Sequence, residues 1–139
     1  MIRSANALLY SVSAAKRIFK VPAGVRVRVV KFWRCMWVWI EGQRPRFVSL
    51  AVFKQHFAQW RMKQALQLEA QQLERGLYAV RNPAKGSQYL VGVAASGPVC
   101  ECEDFSNQEK FFAGKGVCKH GYAVLRSLGY GSLSSFLSK

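Results

Sequence analysis

Apolar residues recur at helical spacing from the start of the chain. Ile2, Ala5, Leu8/Leu9, Val12, Ala15 and Ile18/Phe19 form one stripe, which predicts an amphipathic helix over residues 2–19. Val21-Pro22-Ala23-Gly24 breaks it. From Val25 to Ile40 the period drops to two. Val25, Val27 and Val29 alternate with Arg26 and Arg28, so one face of this strand is apolar and the other cationic. At Val29-Val30 the phase slips, with Val30 and Phe32 taking over, which predicts a bulge or turn near Lys31–Arg34 and a second strand beyond it. There Trp33, Cys35, Trp37 and Trp39 share one face, with Met36, Val38 and Ile40 on the other.

Glu41-Gly42-Gln43-Arg44-Pro45 has turn composition, and Phe47-Val48 predicts a short third strand. Ser49 suits a helix N-cap and Gly76 a stop, so a long helix is expected to about Arg75. Phe53, Phe57 and Trp60 would be its packed face; Gln64 to Gln72, rich in Gln, Leu and Ala, would be more exposed. Leu77–Val80 and Tyr89–Val93 predict a hairpin around Asn82-Pro83-Ala84-Lys85-Gly86. Gly97-Pro98 turns the chain into Val99-Cys100-Glu101-Cys102. A polar loop is expected after Asp104-Phe105, then a short helix from His120 to Leu128 with Ala123, Val124 and Leu128 inward. Gly129 ends that helix, and the serine-rich tail is expected to fray.

The chain has four cysteines and two histidines. Three of the cysteines and one histidine fall in Cys100-Glu101-Cys102 and Cys118-Lys119-His120. Three soft sulfurs and an imidazole complete a tetrahedral zinc shell, and a shell filled by protein leaves no position for water or substrate, so the site is expected to be structural. Residues two apart on an extended strand point the same way. On a helix they diverge by about 200°. Cys118 must therefore precede the last helix, with His120 in its first turn. A Zn²⁺ with three thiolates carries net charge −1, which a helix N-terminus favours. Lys115 and Lys119 are expected to help depress the thiols, and Asp104 to receive the second His120 nitrogen.

Zinc-hydrolase and deaminase spacings, a Gly-rich phosphate loop and a nucleophile elbow are all missing, so no enzymatic activity and no small-molecule substrate are expected. His56, beside Phe57, reads as a helix-surface histidine. Cys35 reads as a packed small hydrophobe. The cysteine spacing favours a reducing, intracellular compartment, the cytoplasm first. Trp37–Ile40 is far too short for a membrane span.

The 139 residues carry a net charge of +14. Thirteen Lys/Arg and one acid precede Glu69; eight Lys/Arg and six acids follow from there. Such a balance selects an acidic partner, nucleic acid before anionic membrane. The first twenty residues, basic and without an acid, have transit-peptide composition, though their clean apolar stripe favours the helix. Arg26, Arg28, Lys31, Arg34, Arg44 and Arg46 flank Phe32, Trp33, Trp37 and Trp39. Cations neutralise phosphates and aromatic faces stack on unpaired bases, so a sheet carrying both suits single-stranded nucleic acid. The tryptophans are expected mostly in the core, leaving those six cations as the nucleic-acid contacts.

The C-x-C…C-x-H pattern resembles the SWIM-type zinc finger. Tyr89-Leu90-Val91, Cys100-Glu101-Cys102-Glu103-Asp104-Phe105 and Cys118-Lys119-His120-Gly121-Tyr122-Ala123-Val124-Leu125 are similar to that family's frame, over roughly Leu77 to Leu128. The resemblance implies a β-β-α unit with Cys100, Cys102, Cys118 and His120 on zinc, and binding to DNA or protein. The expected fold is α+β: a basic lobe over residues 1–76, with a helix, two to three antiparallel strands and a long helix, joined to a zinc-finger unit over 77–139. The expected function is non-enzymatic nucleic-acid binding, DNA more than RNA. The alternative is a protein–protein adaptor or accessory subunit of a recombination, transposition or helicase complex, docking through the exposed half of the long helix.

Overall fold

A computed structural model describes residues 4–139 of the chain. It is a small α+β protein with two antiparallel sheets and several helices. Two compact units divide the chain, Met1–Gln59 and Trp60–Lys139. The Ile2 end of the predicted stripe lies outside the described residues.

In the first unit the predicted N-terminal helix is two helices, α1 (Ala5–Leu9) and α2 (Val12–Ile18). The apolar stripe runs through both, but serines interrupt it. Ser4 caps α1, and Ser11 starts α2 afresh by accepting the Ala14 N–H at 3.0 Å. Tyr10, between the two, is buried edge-on against Phe53, with ring centroids 5.8 Å apart.

Strands β1 (Val27–Phe32), β2 (Cys35–Ile40) and β3 (Arg46–Ser49) follow in sheet order β1-β2-β3. Pairing of β1 with β2 is regular from Val27↔Ile40 to Phe32↔Cys35, without a bulge. The apparent phase slip at Val30 is therefore a change of face: Val27 points inward, while Val30 and Phe32 belong to the outer side. Inward, Val27, Met36, Val38 and Ile40 pack with Ala14, Ala15 and Phe53. This overturns the expectation that the tryptophans fill the core. Trp37 and Trp39 are half-buried on the outer face, and Trp33 is 89% exposed. The inner face is lined opposite by alanines and one phenylalanine, and aliphatic side chains fill that space.

Trp33 and Arg34 form the turn between β1 and β2 as expected, but Trp33 has φ +61°. Glycine is the usual occupant of such a hairpin position, and a residue with a Cβ is strained there by ~1–2 kcal/mol.

Helix α3 (Leu50–Ala65) gives its first ten residues to this unit and its last six to the second. It ends at Ala65 rather than near Arg75. The Gln/Leu-rich stretch beyond it has good helical propensity but alternates at period two, with buried Leu68 and half-buried Ala70 between exposed neighbours. Strand pairing uses that alternation. Glu69–Glu74 is β4, aligned with β5 (Leu77–Asn82), and Glu69 sits opposite Arg81. Arg126 completes the helix end, its Nη2 donating to the Ala65 and Leu68 carbonyls, each at 3.4 Å.

Strands β6 (Ser87–Ala94) and β7 (Gly97–Cys100) complete an antiparallel sheet of order β4-β5-β6-β7. Residues 60–76, expected in the basic lobe, thus lie in the unit that carries this sheet. The stretch expected to be a polar loop is helix α4 (Glu103–Phe112), with Phe105 and Gln108 buried one turn apart. Helix α5 (Lys119–Ser127) buries Ala123, Val124 and Leu125; Leu128, expected inward, is 38% exposed. The serine-rich tail is not frayed: Ser132 caps α6 (Leu133–Leu137), and buried Phe136 packs edge-on against Tyr130.

Replacing Trp33 with glycine removes the left-handed strain while adding unfolded-state entropy, so W33G is expected to stabilise the protein by ~0.5–1 kcal/mol net in denaturant unfolding.

Candidate metal centre

Three chain segments deliver the four ligand candidates. Cys100 ends β7, aligned with Val91 of β6. Cys102 follows as the N-cap of α4, its Sγ accepting the Phe105 N–H at 3.4 Å. Cys118 is the N-cap of α5 and accepts the Gly121 N–H at 3.4 Å. His120 stands in the first turn of α5, where side chains lean back toward the helix start. The expected helix N-terminus at Cys118 is present, but of the expected strand-end pair only Cys100 lies on a strand, Cys102 having passed into the cap of α4. A second helix N-terminus, that of α4, was not foreseen, because that segment has the composition of a loop.

All four residues are buried, and their donor atoms lie within 4.8 Å of one another. His120 Nδ1 is 3.7 Å from Cys100 Sγ and 3.8 Å from Cys118 Sγ. Tetrahedral zinc, with bonds of ~2.3 Å to sulfur and ~2.0–2.1 Å to nitrogen, requires S···N edges of ~3.6 Å. The spacing fits, and the group could hold one metal ion with Nδ1 as the histidine donor.

The electrostatics of the thiols point the same way. Cys102 is held far below the usual thiol range by hydrogen bonds from Cys100 and Cys118. Cys100 is pushed up to about 11, first because its proton is shared with Cys102. Cys118 is driven upward too, by Cys100 and then Cys102. A thiolate at one of three crowded sulfurs opposes ionisation of the other two. Three thiolates need a cation between them, which supplies more positive charge than two helix N-termini. The largest influences on Cys102 are Cys100 and Cys118, followed by burial, which opposes them, and then His120 and the Phe105 N–H.

Asp104 is not the His120 partner expected from the sequence. Its carboxylate receives Arg61 in a fork, Nε to Oδ2 and Nη2 to Oδ1, both at 2.8 Å. Gln108 Nε2 also donates to Oδ2 at 3.0 Å. Gln108 is 1% exposed and clamps Val117, donating to its carbonyl at 3.0 Å and accepting its N–H at 2.9 Å. Val117 immediately precedes Cys118, so Arg61, Asp104 and Gln108 set the approach of that ligand. Gly116 allows the contact, since a Cβ there would meet Gln108 Cβ at 2.6 Å. Both Arg61 and Gln108 went unread in the sequence. The Phe105–Gln108–Phe112 spacing of one helical face was the available signal for Gln108. His120 itself packs against Tyr89, with centroids 4.5 Å apart. Beside it opens a cleft of about 510 Å³, lined by Trp60, Arg61, Tyr89 and Lys119 among others.

The six cations singled out in the sequence do not form one row. Arg26 is paired with Glu41 at 2.8 Å. Arg28 lies on the outer sheet face, its guanidinium 5.9 Å from the Trp39 ring centre. Lys31 and Arg46 align with the inward-pointing Met36 and Val38; Lys31 donates to the Trp33 carbonyl, and Arg46 sits 4.4 Å over Phe19 and donates to Gln43. Arg34 stands in the turn and Arg44 in the loop before β3, both exposed. His56 is half-buried and accepts from Arg17 Nε at 3.0 Å. Cys35, half-buried, donates to the Phe32 carbonyl. No helix among the described residues is long and apolar enough to cross a membrane.

No protein-family model matches the chain, and no curated protein or solved structure matches it.

Metal analysis should return one bound ion per chain, and C118S should abolish its retention. Cobalt substitution should give the visible absorption of a tetrahedral thiolate site. Q108A strands the Val117 amide and carbonyl, and should lower the stability of metal-loaded protein by ~2–4 kcal/mol in urea titrations.

Proposed function

We propose that this protein is a non-enzymatic, zinc-stabilised nucleic-acid-binding protein of the SWIM zinc-finger type, acting on DNA more than on RNA. The observation that carries the metal half of this reading is the buried Cys100, Cys102, Cys118 and His120 group. Its donor set is soft, and the two S···N distances at His120 suit a tetrahedral shell, which favours zinc over harder cations. Four protein donors close the ion to substrate, so its role is to hold β7, α4 and α5 together. Zinc in such shells is worth ~10–16 kcal/mol, more than the net stability of a typical small domain.

The nucleic-acid half rests on charge. Met1–Gln59 holds eleven of the 21 Lys/Arg and one of the seven acids. That excess exceeds what solubility requires and favours a polyanion. The adaptor alternative invoked Gln64–Gln72 as a helix face, and that stretch leaves the helix at Ala65 and enters strand β4 at Glu69, so it offers a strand edge instead.

Fluorescence anisotropy with labelled oligonucleotides tests the reading. If about six phosphates are contacted, affinity should fall roughly a thousandfold between about 50 and 200 mM salt. Absence of binding to single- and double-stranded DNA and RNA alike at low salt would defeat it. Chelation should unfold the second unit, seen as loss of far-ultraviolet circular dichroism and of α5 amide protection.

A further inference from the structure

The outer face of the β1-β2-β3 sheet is neither core nor an ordinary solvated surface. By register it carries Arg28, Val30 and Phe32 from β1, Cys35, Trp37 and Trp39 from β2, and Phe47 from β3. Val30, Phe32 and Phe47 are 53%, 59% and 63% exposed. Phe32 and Phe47 lean together across β2 with centroids 5.9 Å apart, Trp37 lies beside Phe47, and Arg28 covers Trp39. At the tip of the same hairpin Trp33 is almost wholly exposed and held at positive φ. Aromatic side chains left this exposed give folding far less than buried ones would, and the Trp33 backbone works against it. Such strain at an exposed position points to a contact made outside the chain.

We infer that this face is a stacking platform for single-stranded nucleic acid. The inference deepens the nucleic-acid reading above and rests on it; it replaces the arginine row expected from the sequence with aromatic rings as the main contacts. Trp37 and Trp39 are two residues apart on one strand, ~6.8 Å along it, and rings on neighbouring strands are ~4.8 Å away. A stretched strand can lay successive bases on such an array. A duplex cannot, because its base faces are already stacked on one another. Charge selects the occupant. The unit has eleven basic residues against one acid, so a second copy of the chain is repelled and a polyanion is drawn in. Arg28 on the same face and Arg34 in the hairpin turn are the cations nearest the aromatic patch by register and would supply phosphate contacts.

The test uses full-length zinc-loaded protein with fluorescein-labelled oligothymidine, oligouridine and a mixed-sequence duplex of equal length, in low salt. Oligothymidine and oligouridine should quench the intrinsic tryptophan fluorescence. W33G, W37L and the pair F32L with F47L should each weaken both single-strand arms about 5- to 100-fold and leave duplex binding within about twofold. W33G is the decisive variant, since glycine relaxes that turn and its thermal unfolding should not fall. Single-strand affinity unchanged in W33G and in folded W37L would overturn the platform. If charge-removing R28A and R34A then abolished binding, nucleic-acid binding would stand without it. No binding of any oligonucleotide by the wild type would overturn both. A difference between the thymidine and uridine arms would assign the strand as DNA or RNA.

Discussion

Three sulfurs held within 4.8 Å of one another inside a protein cannot all carry charge unless a cation sits among them. In this chain the conflict is visible in the thiols themselves, one driven down and two driven up by sharing protons. The second unit is arranged around that conflict. The end of a strand and the starts of two helices are spent on it, so each backbone segment that meets there is fixed by a side chain that also serves as a donor. Cys102 and Cys118 are helix caps and ligand candidates at once. Secondary structure and ion binding therefore share the same atoms.

A polar chain supports the arrangement from behind. Arg61 is nearly buried, and its forked contact with Asp104 balances its charge. Gln108 then converts that pair into positional control by gripping both backbone groups of Val117. No buried side-chain nitrogen or oxygen among the described residues lacks a partner, which is the condition under which such a network orders a site rather than weakening it. The glycine at 116 and the alanine-sized surface of α5 keep the segments close enough for this to work.

The four ligand candidates, the strands of the first sheet, the β5-β6 hairpin and the turn at Trp33 were legible in the sequence because each has a local signal: donor spacing, period-two alternation, or a loss of phase. What was not legible depended on partners far along the chain. Residues 69–74 have the composition of a helix and become a strand because β5 offers a ladder. Residues 103–112 have the composition of a loop and become a helix because Cys102 caps it and Phe105 and Gln108 find a core. The tryptophans of β2 were misplaced for a related reason. Alternation shows that two faces differ, and only packing against Phe53 and the α2 alanines decides which face is inward. For the same geometric reason Arg28 falls on one side of the sheet and Lys31 and Arg46 on the other.

Strand β4 forms an outer border of the four-stranded sheet. An unpaired border is a template onto which another chain could add, and this one is spoiled as a template. Its register jumps between Gln72 and Glu74, and glutamates stand at both of its ends. A bulge with repelling carboxylates is a poor seat for a neighbouring strand. The β4 edge of the sheet thereby resists the addition of another strand, whether from a second copy of the chain or from a different protein.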